Sequence, residues 1–210
     1  MDHIIYLHGF LSSPKSDKAK LVSEYVARNH PNIKLHIPTL PGRPSKAAEI
    51  VEHLISNIFP TASWNKDTPS RSWNKDTPSN ELRFIGSSMG GFLSTHFVET
   101  YGGKAVLINP AVEPFKLLKN YFGEHINPYT DEVFTIDQNS VDELLQLHKV
   151  TNKNNPNYLV YLQKKDETLD YRLAETKYGS DCCNLEEGGN HSFVGLENYI
   201  SDIIGFLSQK

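Results

Sequence analysis

The chain is poor in the features that would mark several large classes of protein. It has two cysteines in 210 residues, and these are adjacent, Cys182-Cys183, where a bridge between them would be strained. Reduced thiols in a cytosolic protein are therefore expected. No apolar run approaches the roughly 18 residues that a membrane span needs. The N-terminus passes almost directly into Ile4-Ile5-Tyr6-Leu7, without the basic and apolar regions of a secretory signal. The formal charge of −4 is mild, so neither a nucleic-acid footprint nor an acidic tail is indicated. H-E-x-x-H, C-x-x-C and G-x-x-x-x-G-K-[ST] are all missing, so no metal, nucleotide or other cofactor is expected. At 23.8 kDa the chain reads as one domain over 1–210, large enough to bury a full core.

What is present alternates. Short apolar strands are expected at His3–Leu7, Ile33–Ile37, Leu82–Ile85, Lys104–Ile108, Tyr158–Leu162 and Cys182–Leu185. Helical periodicity lies between them, from Ser16 or Asp17 to about Asn29, from a Ser45 cap to about Phe59, over Gly91–Tyr101, over Asp170–Tyr178 and over Leu196–Leu207. This order implies an α/β fold with an open parallel sheet of about six strands covered by helices on both faces. Chemistry should then gather past the C-terminal ends of the strands. Two stretches stand outside the alternation. Residues 110–157 carry short helices near Pro114–Tyr121 and Val141–Lys149, and are too long for a plain crossover, as a lid or binding loop would be. Residues 61–80 contain a tandem duplication, Ser63-Trp64-Asn65-Lys66-Asp67-Thr68-Pro69-Ser70 recurring as Ser72-Trp73-Asn74-Lys75-Asp76-Thr77-Pro78-Ser79, expected in a surface loop away from the ligand edge.

The organising motif is Gly86-Ser87-Ser88-Met89-Gly90, a G-x-S-x-G between a strand and a helix. That is the arrangement of a nucleophile elbow, with Ser88 at the apex and glycines where a Cβ would strike neighbouring backbone. The motif alone arises by chance in roughly one chain in fifteen of this length, so it needs partners. His191, in Glu187-Gly188-Gly189-Asn190-His191, is the candidate base just beyond the last strand. Asp166 follows the penultimate strand and is the preferred orienting acid. Glu167 and Asp170 are nearby, but Asp170 reads as a helix N-cap. The order Ser88, Asp166, His191 is that of α/β hydrolases. His8-Gly9-Phe10, after the first strand, offers the backbone N–H of Phe10 as an oxyanion donor beside that of Met89. His8 itself is expected to pack and hold the loop rather than act as a second base.

Longer stretches resemble the YqiA-like esterases of bacteria, within the α/β-hydrolase superfamily. They include Tyr6-Leu7-His8-Gly9-Phe10, Gly86-Ser87-Ser88-Met89-Gly90-Gly91, Asn109-Pro110-Ala111-Val112, Asn127-Pro128-Tyr129-Thr130, Leu169-Asp170-Tyr171-Arg172 and Glu187-Gly188-Gly189-Asn190-His191. The resemblance implies a cytoplasmic carboxylesterase acting on short-chain esters or fatty acyl-CoA thioesters, with Ser88, Asp166 and His191 as its triad. The 61–80 duplication departs from that pattern. The expectation is thus a serine ester hydrolase, with a small-molecule ester or acyl-CoA as its partner. The rival is a catalytically idle hydrolase fold used for binding or scaffolding, for instance through Trp64 and Trp73.

Overall fold

The computed structural model describes residues 2–59 and 81–209. The duplicated segment therefore lies outside the described residues. Six parallel strands form one sheet: β1 (Asp2–Leu7), β2 (Ile33–His36), β3 (Arg83–Ser87), β4 (Lys104–Ile108), β7 (Tyr158–Gln163) and β8 (Cys183–Glu186). Their spatial order is β2-β1-β3-β4-β7-β8. The central strands are apolar almost throughout because both faces are covered. Pleating sends alternate residues to opposite sides. Ile5 and Leu7 of β1 join one core with Phe84, Leu107 and Leu162. Ile4 and Tyr6 join the other with Ile85, Val106 and Tyr161.

Helices α2 (Pro44–Ile58), α3 (Met89–Tyr101), α5 (Gln138–Leu147) and α6 (Tyr171–Tyr178) close the first core, through Val51, Ile55, Phe92, Phe97, Leu144 and Tyr178. Helices α1 (Asp17–Asn29) and α7 (Ile200–Ser208) close the second, through Val22, Val26, Ile203 and Leu207. The chain lays β2 on one side of β1 and β3 on the other. The switch point between β1 and β3 is where an open α/β sheet leaves a crevice at its carboxyl edge.

Several boundaries moved from their expected positions for physical reasons. β3 runs on through Gly86 and Ser87, and α3 begins at Met89, so the turn between them is a single residue, Ser88. Ser45 does not cap α2. Pro44 occupies its first turn and Arg43 its N-cap position, without a side-chain capping bond. Glu143 of α5 supplies the missing acceptor instead, taking the Ser45 N–H at 3.1 Å and the Arg43 Nε–H at 2.8 Å. Helix α5 starts at Gln138, earlier than Val141, because Asp137 and Ser140 form a reciprocal capping box. Cys182 lies in a 3₁₀ turn before β8, and both cysteines are free thiols.

The segment between β4 and β7 holds more than short helices. After α4 (Pro114–Leu117) comes an antiparallel hairpin of β5 (Gly123–Ile126) and β6 (Val133–Ile136). Its Asn127 donates from Nδ2 to the Ser12 carbonyl at 3.1 Å, tying the hairpin to the loop after β1. Among the described residues, no helix is long and apolar enough to cross a membrane.

Candidate active site

Ser88 sits between β3 and α3 with φ 53° and ψ −118°, a strained conformation for a residue with a side chain. Four backbone hydrogen bonds hold it there. Its N–H donates to Ile108 at 3.1 Å, and its carbonyl accepts from Gly91 (2.9 Å), Ala111 (3.0 Å) and Phe92 (3.3 Å). Glycine is required on either side. A Cβ on Gly90 would overlap the Leu7 carbonyl and lie 2.8 Å from the His8 oxygen. One on Gly86 would lie 2.5 Å from the Gly90 oxygen.

The three side chains singled out in the sequence come together. Asp166 Oδ2 stands 2.8 Å from His191 Nδ1, and His191 Nε2 stands 3.0 Å from Ser88 Oγ. A carboxylate only accepts, so Nδ1 carries the proton and Nε2 is left to accept from the serine hydroxyl. The Asp166 side chain is 2% exposed. Its other oxygen accepts two backbone N–H groups, from Thr168 and Leu169, both at 2.8 Å. The neighbouring carboxylates do other things. Glu167 accepts the His191 backbone N–H at 3.0 Å. Asp170 caps α6 through the Arg172 N–H at 3.0 Å and pairs with the Arg172 guanidinium.

Phe10 and Met89 flank Ser88 at the ends of β1 and β3. Neither of their backbone N–H groups donates to another described residue. The Phe10 ring is fixed edge-on against Phe134 of β6, at 5.9 Å between centroids. His8 is buried and locked. Its Nε2 accepts the Leu40 N–H at 3.1 Å, so its Nδ1–H donates to the Gly9 carbonyl at 3.0 Å. Burial pushes its pKa down, and its ring is committed to backbone on both sides.

Sequence reasoning missed the groups that hold the histidine loop. Gln163, buried at the end of β7, accepts the N–H groups of Asn190 and Val194 at its Oε1, both at 3.0 Å. Its Nε2 donates to the Val194 carbonyl (2.7 Å) and to Glu186 (2.6 Å). Asn109, at φ 40° after β4, donates to the Asn190 carbonyl and accepts the Gln163 N–H, each at 3.0 Å. Lys18 reaches over from α1 to the Ser192 carbonyl at 3.1 Å. The available signal was a pair of polar residues terminating apolar strands, where a buried side chain must find polar partners. Among the described residues, no group of three or more His, Cys, Asp or Glu is placed to hold a metal ion.

Comparison with known proteins agrees with this architecture. Est1E from Butyrivibrio proteoclasticus superposes with a TM-score of 0.64 at 14% identity, over 98% of this chain and 86% of that one. Mouse alpha/beta hydrolase domain-containing protein 10 gives 0.60 at 18% identity, over 98% and 90%. The ydeN gene product of B. subtilis gives 0.60 at 13% identity, over the full length of both. At these identities the likeness is one of fold. The sequence itself matches the uncharacterised protein family UPF0227 over residues 3–64 and 71–208, the break falling inside the duplicated segment. The chain therefore belongs to UPF0227, the YqiA-like family, built on the α/β-hydrolase fold.

Proposed function

We propose that the protein is a serine hydrolase that cleaves carboxylic esters through an acyl-enzyme. The observation that carries this is the unbroken hydrogen-bonded chain from Ser88 Oγ through His191 to the buried Asp166, at the apex of a strained turn. As the substrate carbonyl arrives, His191 Nε2 takes the Ser88 proton while Oγ forms its bond to carbon. The charge that develops on the carbonyl oxygen is met by the N–H groups of Phe10 and Met89. One such donor is worth about 3–4 kcal/mol in the transition state. The C–O bond then breaks, and the departing oxygen takes the proton from Nε2. Water repeats the sequence in reverse to free the acid, deprotonated by His191 as it attacks. Asp166 keeps the imidazole in the required tautomer and stabilises the imidazolium. A thioester carbonyl is open to the same attack.

The test is labelling with a fluorophosphonate probe, which reacts only with an activated serine. Wild type should label and Ser88→Ala should not, while turnover of p-nitrophenyl butyrate should vanish in His191→Ala. Equal labelling of wild type and Ser88→Ala, or none of either, would sink the proposal.

A further inference from the structure

A hollow of about 370 Å³ lies between the loop after β4, the segment that follows α5, and helix α6. Ser88, Asp166 and His191 are all absent from its wall. Its volume falls in the range of small-molecule pockets, yet no step of acyl transfer uses it.

The wall has an apolar part and a cationic part. Val112, Val150 and Leu173 form the first, and the last two are 83% and 49% exposed. Scattered singly, such side chains would need no explanation. Gathered in one concavity, they offer surface that a ligand can remove from water. Lys149, Lys153 and Lys177 form the second part. The carboxylate in the wall, Glu113, is already paired with Lys116 at 2.6 Å. None of the three lysines makes an ion pair among the described residues. His148 completes the lining with its ring edge-on to Phe115, at 5.3 Å between centroids. Burial and the neighbouring Lys177 lower its pKa, so it is present as a neutral ring.

Lys177 is the anchor. It stands half-buried in the last turn of α6 and donates to the Lys149 carbonyl at 2.9 Å. An ammonium has three N–H donors, so this bond leaves two for a ligand. Burial brings its pKa down to about 8, and the charges of Glu99 and Glu113 offset only part of that. An anion brought within hydrogen-bond reach would favour the charged form.

Charge and shape then set the class of ligand. Inorganic phosphate would meet the lysines but leave Val150 and Leu173 in water. A neutral hydrocarbon would cover those side chains and leave the ammonium without a counterion. A carboxylate on an apolar body satisfies both parts of the wall. We propose that the hollow is a second, non-catalytic binding site for a small apolar monocarboxylate, such as hexanoate. Its carboxylate pairs with Lys177 and its chain lies over Val150 and Leu173. The assignment is independent of the reaction at Ser88.

The experiment measures binding to the whole protein by calorimetry, with hexanoate, acetate, 1-hexanol and inorganic phosphate as probes. Hexanoate should bind about tenfold or more tightly than acetate, because its added methylenes leave water. It should lead 1-hexanol by about tenfold, the worth of a charge-assisted hydrogen bond. Lys177→Met keeps the length of the side chain and should raise the hexanoate Kd by about tenfold. Leu173→Asp, at an exposed position, should weaken hexanoate at least as much and serves where Lys177→Met does not fold. In amide magnetic resonance spectra, hexanoate should move the signals of Val150, Leu173 and Thr176 and leave those of Gly9 and His191 in place. Phosphate or 1-hexanol binding as tightly as hexanoate, or a Kd unmoved in the folded variants, would overturn the assignment. So would spectral changes confined to Gly9 and His191, which would put the ligand in the catalytic cleft. Fluorophosphonate labelling of Ser88 tests the hydrolase reading separately, and neither result decides the other.

Discussion

Replacing Gln163 with Met keeps the length of the side chain and removes every hydrogen bond it makes. Four partners lose their contact at once: the N–H groups of Asn190 and Val194, the Val194 carbonyl and the Glu186 carboxylate. A buried polar group left unpaired costs about 1–3 kcal/mol. Gln163 itself is 2% exposed, but its partners are only part-buried, so water can satisfy some of them. The expected loss of stability is therefore about 2–4 kcal/mol rather than the sum of four full penalties. For a chain of this size that is a fall in Tm of about 4–16 °C.

The larger effect should be on turnover. Gln163 fixes the residues on either side of His191, and a misplacement of about 1 Å in a reacting group can cost roughly a hundredfold. Assayed well below its Tm with p-nitrophenyl butyrate, Gln163→Met should show kcat down by about 10–100-fold with KM little changed. That split marks an interaction used in the transition state rather than in binding. Urea denaturation gives the stability change on the same preparation. If kcat stays within about threefold of wild type although stability falls as expected, the amide is not what aims the histidine. If neither quantity moves, the hydrogen bonds described here do not hold the loop.

Two further outcomes are expected. Asp166→Asn presents an amide that can donate to Nδ1 and favour the wrong tautomer, so kcat should drop by about 10³–10⁴-fold; Asp170→Asn alters only the cap of α6 and its pair with Arg172 and should change kcat by less than twofold, and comparable losses in the two variants would refute the assignment of the acid. Stability should decline as the pH falls below 6.5, because burial depresses the folded-state pKa of His8 and of His96 from that value: in that window the unfolded chain binds more protons at these histidines. Urea midpoints at pH 7.5 and 5.5 check the sign, and a midpoint that rises on acidification would contradict it.

What could be read from the sequence and what could not divide along a physical line. The six sheet strands were legible because burial on both faces makes them apolar runs, as in Ala105-Val106-Leu107-Ile108. The elbow was legible because its glycines answer to local collisions. The β5–β6 hairpin was not. Only Ile136 among its eight strand residues is buried, so it shows neither an apolar run nor a clean alternation. The cap of α2 was misassigned to Ser45 because its real acceptor, Glu143, lies 98 residues away on another helix. Local pattern reports local burial, whereas caps and clamps supplied across the fold leave no periodic trace.

The same division runs through the site itself. Ser88 is aimed by its own neighbourhood, a strand, a helix and two glycines that leave the turn little freedom. Asp166 is nearly as local, its carboxylate anchored by the N–H groups two and three residues ahead. His191 is different. The Gly188-Gly189 pair, both at positive φ, allows the loop its path but does not dictate it. Its direction comes from Gln163, Asn109, Glu167 and Lys18, at separations of 24 to 174 residues from their partners in the loop. Of the three groups it is thus the one most dependent on correct tertiary packing. Mutations far from the site that loosen β7 or α1 should therefore reduce turnover before they unfold the sheet, because the histidine alone has no local element to keep it in register.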